Sequence, residues 1–217
     1  SPDKVLAAGV WTSASQRLEI TTARSMIKEG ARVVMQVHNV RTPSCLHTTG
    51  TASVTSYDGA YHVVDATTSV AIASMSIGVL GGDLTWTAAD TAASVTTDST
   101  VSFRSVGGIK EGGRIKVVLP SVGWSMPSAP VIEFSRPSAV NATAAWNAGT
   151  RTLLITTTSG EIAESAAVEL IVKDTVTPPS VTESGSASVE TFERVTTGNT
   201  TVWPAIDTGS LNTSEIV

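Results

Sequence analysis

The sequence predicts an all-β protein made of tandem β-sandwich domains, and three observations lead there. Apolar side chains alternate with polar ones over short segments, glycine and proline punctuate those segments, and the chain repeats itself. Alternation with a period of two puts every second side chain on one face of a strand, the pattern of a sheet with one buried face. Charged residues make up only 15% of the chain, which is rich in Ser, Thr and β-branched residues, a mixture suited to strands and polar loops. A hydrophobic share of 41% argues against disorder. At 217 residues there is room for two sandwiches of about 100 residues each.

The elements can be taken in order within the repeat. With residue 1 placed over residue 136, an offset of 135, Pro2, Val5, Ala7 and Trp11 fall on Pro137, Val140, Ala142 and Trp146. Leu18, Ile20, Thr21 and Thr22 fall on Leu153, Ile155, Thr156 and Thr157. Ile27, Glu29, Ala31, Val33 and Val37 meet Ile162, Glu164, Ala166, Val168 and Val172, and the register runs on to Ala52, Ser53 and Val54 over Ala187, Ser188 and Val189. Matches spread this evenly, without a gap, mark an internal repeat. A second relation sits inside the first: Ile27-Lys-Glu-Gly-Ala-Arg-Val33 returns as Ile109-Lys-Glu-Gly-Gly-Arg-Ile115, and more loosely as Ile162-Ala-Glu-Ser-Ala-Ala-Val168.

Each half-unit reads as strand, tight loop, strand. Val101 to Ser105 alternates, Gly107-Gly108 and Gly112-Gly113 supply turns, and Ile115, Val117 and Leu119 share a face before Pro120 ends the strand. Further strands are expected near Pro130 to Phe134, Val140 to Trp146, Leu153 to Thr157, Val168 to Val172, Ser186 to Phe192 and Thr200 to Trp203. Short strands at this spacing, with no helical period, indicate Ig-like sandwiches built from repeated half-units.

The register exposes an asymmetry. Residues 83–191 hold two half-units and make one complete sandwich, whereas residues 1–82 correspond only to the second half of such a domain. An open half has an apolar face and unpaired edges that must be covered. Three arrangements are open: residues 1–82 pack on the complete domain, the chain is a segment of a longer tandem array, or a neighbouring subunit completes the first domain. In the third, residues 192–217 are the candidate donor strand, and repetition of that contact gives a head-to-tail homopolymer.

Little in the chain points to catalysis. The single cysteine, Cys45, is expected to be an isolated thiol or an intermolecular disulfide. The three histidines, His38, His47 and His62, lack metal-ligand spacing, and no calcium loop, nucleophile elbow or phosphate loop is present. Glu29, Glu111 and Glu164 recur at matching repeat positions, which favours a turn or edge role over catalysis. No cofactor or active site is expected. A net charge of −5 without a basic cluster argues against nucleic acid and anionic membranes as partners. No apolar stretch approaches the roughly 20 residues of a membrane span. The chain opens at Ser1-Pro2-Asp3-Lys4, so a secreted form is expected to have lost its targeting segment.

Three Asn-x-Ser/Thr triplets begin at Asn141, Asn199 and Asn212 and are candidate sites for covalent glycans. Trp11 and Trp146 occupy equivalent positions and are expected to be buried. Trp86, Trp124 and Trp203 do not repeat; packing is favoured for them, with sugar stacking as the alternative.

The paired pattern of Gly108-Ile-Lys-Glu-Gly-Gly-Arg-Ile-Lys-Val-Val-Leu-Pro120 and Ser159-Gly-Glu-Ile-Ala-Glu-Ser-Ala-Ala-Val-Glu-Leu-Ile-Val172 resembles tandem Ig-like repeats of extracellular proteins from algae and other microbial eukaryotes, subunits of glycosylated fibrils among them. The likeness covers most of residues 83–191 and part of 1–56. It implies a secreted structural glycoprotein and supplies no catalytic residues. The expected function is a subunit of an extracellular filament or surface array that assembles head to tail by strand complementation. The alternative is an adhesin or carbohydrate-binding module of a cell-surface protein.

Overall fold

The structure, a computed structural model of the chain, describes residues 6–23, 26–38, 40 and 50–217. The described residues form strands, turns and loops, without a helix. In chain order the strands are β1 (Leu6–Thr12), β2 (Arg17–Ala23), β3 (Gly50–Tyr57), β4 (Val63–Ile72), β5 (Gly78–Val79), β6 (Gly81–Ala88), β7 (Thr96–Arg104) and β8 (Arg114–Val118). They continue with β9 (Ile132–Arg136), β10 (Asn141–Asn147), β11 (Thr152–Ser159), β12 (Ala167–Val176), β13 (Ser186–Phe192), β14 (Val195–Thr197), β15 (Thr200–Val202) and β16 (Ala205–Thr213). The chain divides into two compact units, Ser1–Thr42 and Pro43–Val217.

In the second unit the main sheet runs β10-β11-β8-β13-β16-β6-β7-β12-β9, with β5 also on β16. Its strands carry the alternation that the sequence announces. Ile115 and Val117, Leu153 and Ile155, Val168, Leu170 and Val172, and Ala187 and Val189 are all buried, while the residues between them are at least partly exposed. Side chains from both ends of this strand order enter one core, an arrangement compatible with a β-sandwich. Trp86 on β6 meets Trp124 edge to face in that core, with ring centres 6.0 Å apart.

Residues 192–217 are not a free tail. β16 lies between β13, to which it is antiparallel, and β6, to which it is parallel, and it buries Ile206, Leu211 and, just beyond it, Ile216. The expectation of a spare strand is thereby corrected, because this segment supplies the hydrogen bonds joining the two halves of the strand order. Gly209 suits the middle of β16, since a Cβ there would stand 2.7 Å from Leu84 Cδ2 and 3.0 Å from Leu80 Cβ. The alternation seen at Thr200 to Trp203 belongs instead to the small β14–β15 hairpin.

The first four strands form two separate hairpins. β1 pairs with β2 and β3 with β4, and among the described residues none of the four joins a larger sheet. Their large apolar side chains are mostly exposed. Trp11 is 59% exposed while Trp146 is 9% exposed, so the expected burial holds for Trp146 and fails for Trp11. The physical difference lies in what covers the hairpin: β11 is hydrogen-bonded to β8 on its far side, and β2 has no such neighbour among the described residues.

The two hairpins nevertheless share their backbone plan. Trp11 pairs with Leu18 as Trp146 pairs with Leu153, and at the offset of 135 six of the seven β1–β2 pairs coincide with β10–β11 pairs; the seventh falls at a bulge after Asn141. Their turns agree as well. Gln16 N–H donates to Ser13 O at 3.3 Å and Arg151 N–H to Ala148 O at 3.4 Å, with φ of 50° at Gln16 and 53° at Arg151.

The Ile-containing half-unit motif also folds alike in its three occurrences. Ala31, Gly113 and Ala166 each donate a backbone N–H to the residue three positions earlier, at 3.1, 2.9 and 3.3 Å. The residue before each is left-handed: φ is 71° at Gly30, 79° at Gly112 and 58° at Ser165. Glycine adopts this conformation without a Cβ penalty, and Ser165 accepts it as a single residue.

Candidate functional site

The three sequon asparagines stand at exposed positions on three different elements. Asn141 is exposed at the start of β10, where its Nδ2 donates to Ser159 Oγ at 2.8 Å. Asn199 is exposed in the turn between β14 and β15. Asn212 projects from β16 at an exposed position opposite Ser186 and Thr85, while Thr213 beside it is buried. Ser214, the third residue of that triplet, accepts the Ala88 N–H at 3.1 Å. The turn at Asn199 is the least encumbered of the three, since its Thr200 and Thr201 lie on a two-strand hairpin outside the main sheet.

The tryptophans divide differently from the sugar-stacking alternative. Trp86 and Trp124 are 0% and 5% exposed, as the favoured packing expects, so neither presents a ring face to a sugar and the sugar-stacking alternative is corrected for both. Trp203 is half-buried. The Arg114 guanidinium lies over its ring at 3.5 Å from the centre, and its Nε1 donates to Gly112 O at 3.2 Å. These contacts fix the β14–β15 segment to the turn before β8, a packing role with a cation–π component. Cys45 and His47 lie outside the described residues.

A feature that the sequence did not flag is the carboxylate of Asp207, which is 1% exposed on β16. It accepts the Val106 N–H at 3.1 Å, the Gly107 N–H at 3.2 and 3.3 Å, and the Thr191 hydroxyl at 3.3 Å. A buried carboxylate is tolerated when hydrogen-bonded in this way, and here it pins the loop after β7 to the last strand. Its donors are distant in sequence, so no local motif announces it.

His62 has one clear partner. Asp58 accepts the backbone N–H groups of His62 and Ala60 at 2.8 and 2.9 Å, and its other oxygen lies 3.0 Å from His62 Nδ1. These bonds, that from the His62 backbone first, hold the Asp58 carboxyl below its ordinary value. A depressed carboxylate stabilises the β3–β4 turn above the usual aspartate range and loses that effect as pH falls through the lowered value. Carbon-13 titration of the Asp58 carboxyl is expected to give a midpoint under the ordinary value of about 3.9; a midpoint at or above it contradicts the hydrogen-bonded turn.

Glu29, Glu111 and Glu164 stand exposed in the three equivalent turns. Across β6, β7, β12 and β9 runs an open groove whose charged lining includes Asp83, Arg104, Arg136 and Glu169. Two of these are already engaged: Arg104 Nη1 donates to Ser165 O at 2.8 Å and Glu169 accepts the Ser135 hydroxyl at 2.6 Å. Among the described residues no group of three or more His, Cys, Asp or Glu is placed to hold a metal ion, and no helix is long and apolar enough to cross a membrane. A scan against protein-family models finds no match, and a comparison with curated proteins finds none either.

Proposed function

We propose that this chain is a non-catalytic structural subunit of an extracellular, glycosylated filament or surface array, composed of tandem Ig-like modules and joined head to tail with its own kind. The observation that carries the reading is the shared backbone plan of β1–β2 and β10–β11, one hairpin made twice, in the same register at six of seven pairs and with a left-handed residue at the same turn position. Use of one module repeatedly along a chain yields an extended molecule, and a constant contact between ends propagates it. The resemblance to algal fibril repeats points the same way. Exposure of Asn141, Asn199 and Asn212 leaves room for sugars on such a surface.

Lending residues 192–217 to a neighbour drops out of this reading, because β16 would have to leave the centre of its own sheet. Electron microscopy of native material, with peptide mass spectrometry before and after enzymatic deglycosylation, tests the proposal. The expected result is filaments or ordered arrays and a glycan on at least one of the three asparagines, Asn199 foremost. Dispersed, compact particles with three unmodified asparagines would sink it.

A further inference from the structure

The complete sheet records what covers each element that the N-terminal residues repeat. There, β11 and β13 are both hydrogen-bonded to β8, and β12 is hydrogen-bonded to β7 and β9. Every one of these covering strands lies between residues 96 and 136. Ile162, in the turn before β12, exchanges two backbone hydrogen bonds with Ile109, at 2.8 and 2.9 Å, and both isoleucines are fully buried.

Ile27 occupies the same turn as Ile162 but is 50% exposed, and among the described residues its backbone has no such partner. Other repeat counterparts of the core follow suit. Leu18, Val33, Met35, Val37 and Val54 are exposed, whereas Leu153, Val168, Leu170, Val172 and Val189, their counterparts at the offset of 135, are 0 to 2% exposed. The sequence has therefore kept a core-facing set of side chains where the described structure offers no core. Residues 32–38 and 40, the described part of the counterpart of β12, form no strand, as expected when the strands that pair with β12 have no equivalent beside them.

We propose that residues 6–72 carry the sequence of the second half of another domain of this same fold, one that closes only with a half-unit of the kind formed by residues 78–135 ahead of it in the chain order of the complete domain. The occupant brings a β8-like strand for β2 and β3, β7-like and β9-like strands for residues 32–38, and an Ile109-like residue for Ile27. A second copy of the chain is not the occupant, because its own β7, β8 and β9 are already paired inside its sheet. The assignment concerns completion of a domain and stands apart from whether the molecule forms filaments.

The test is a graft: a second copy of residues 78–135 joined directly before residue 1 of the full chain, the junction that the offset of 135 prescribes. Hydrogen exchange read by mass spectrometry is expected to slow at least about 100-fold over residues 6–23 and 50–57, reaching the protection of residues 141–159 and 186–192. In a Cys45→Ser background, Ile27→Cys together with Ile109→Cys in the grafted copy should form a disulfide, since directly paired strand residues lie within bridging distance. Grafted chain that shows neither the slowing nor the disulfide overturns the proposal. So does sedimentation of the ungrafted chain as a dimer in which residues 6–57 are already protected, which would make a second copy the occupant.

Discussion

Removal of residues 205–217 is expected to unfold the main domain. The deletion takes out β16 from between β13 and β6, together with the buried side chains of Ile206, Leu211 and Ile216. Each such side chain contributes about 1.5 to 3 kcal/mol through burial, so the three together are of the order of a small domain's whole stability, about 5 to 15 kcal/mol. Loss of the strand also strips the partners from two sheet edges and from the Val106 and Gly107 amides that Asp207 holds. Circular dichroism and thermal unfolding decide the matter. The truncated chain should lose its cooperative transition; retention of that transition within a few degrees would mean that the strand is dispensable and free to serve elsewhere.

Trp86→Ala is the single substitution with the largest expected cost, about 3 to 5 kcal/mol. The side chain is fully buried, and its loss would leave a cavity against Trp124 that strands β6 and β7 cannot easily close. Its indole Nε1 is buried without a hydrogen-bond partner among the described residues, so Trp86→Phe removes an unsatisfied donor along with some volume and should cost clearly less. Trp11→Ala supplies the contrast at under about 0.5 kcal/mol, as befits an exposed position away from a core. Denaturant titration of the three variants gives the order. Equal costs for Trp86→Ala and Trp11→Ala would contradict the burial described.

Strands with one buried face were legible because their alternation is local. Ile115 and Val117, Leu153 and Ile155, and Val168, Leu170 and Val172 could each be read from five or six neighbouring residues, and all lie in the core. The last strand was not legible. Asp207 breaks its apolar pattern, and the donors that make a buried carboxylate acceptable there come from a loop between β7 and β8. The burial of Trp11 was misjudged for a related reason: a repeat register copies side chains and turns faithfully, but the cover over a hairpin comes from strands remote in sequence. Trp86 and Trp124 do not repeat, so nothing local distinguished a core pair from a surface platform. Exposure of the three sequon asparagines follows from their polar surroundings, yet only the fold sets Asn199 on a hairpin apart from Asn212 in mid-sheet.

The parallel run of the first and last strands of the main domain bears on how it would carry load. Gly78–Val79 lies beside Asp207–Thr208, and Thr85–Trp86 beside Asn212–Thr213. Because these strands run the same way, β5 and β6 begin at one end of the shared seam and β16 finishes at the other. A pull applied through residue 78 and residue 213 is therefore directed along the seam, and its hydrogen bonds meet the force together in shear instead of opening one by one like a zipper. The Asp207 carboxylate lies on the same seam and ties it to the loop at Val106 and Gly107. A pull between those two residues would thus load the seam directly, while the bonds of Ile216 to Thr182 and of Val217 to Thr91 anchor the chain beyond it.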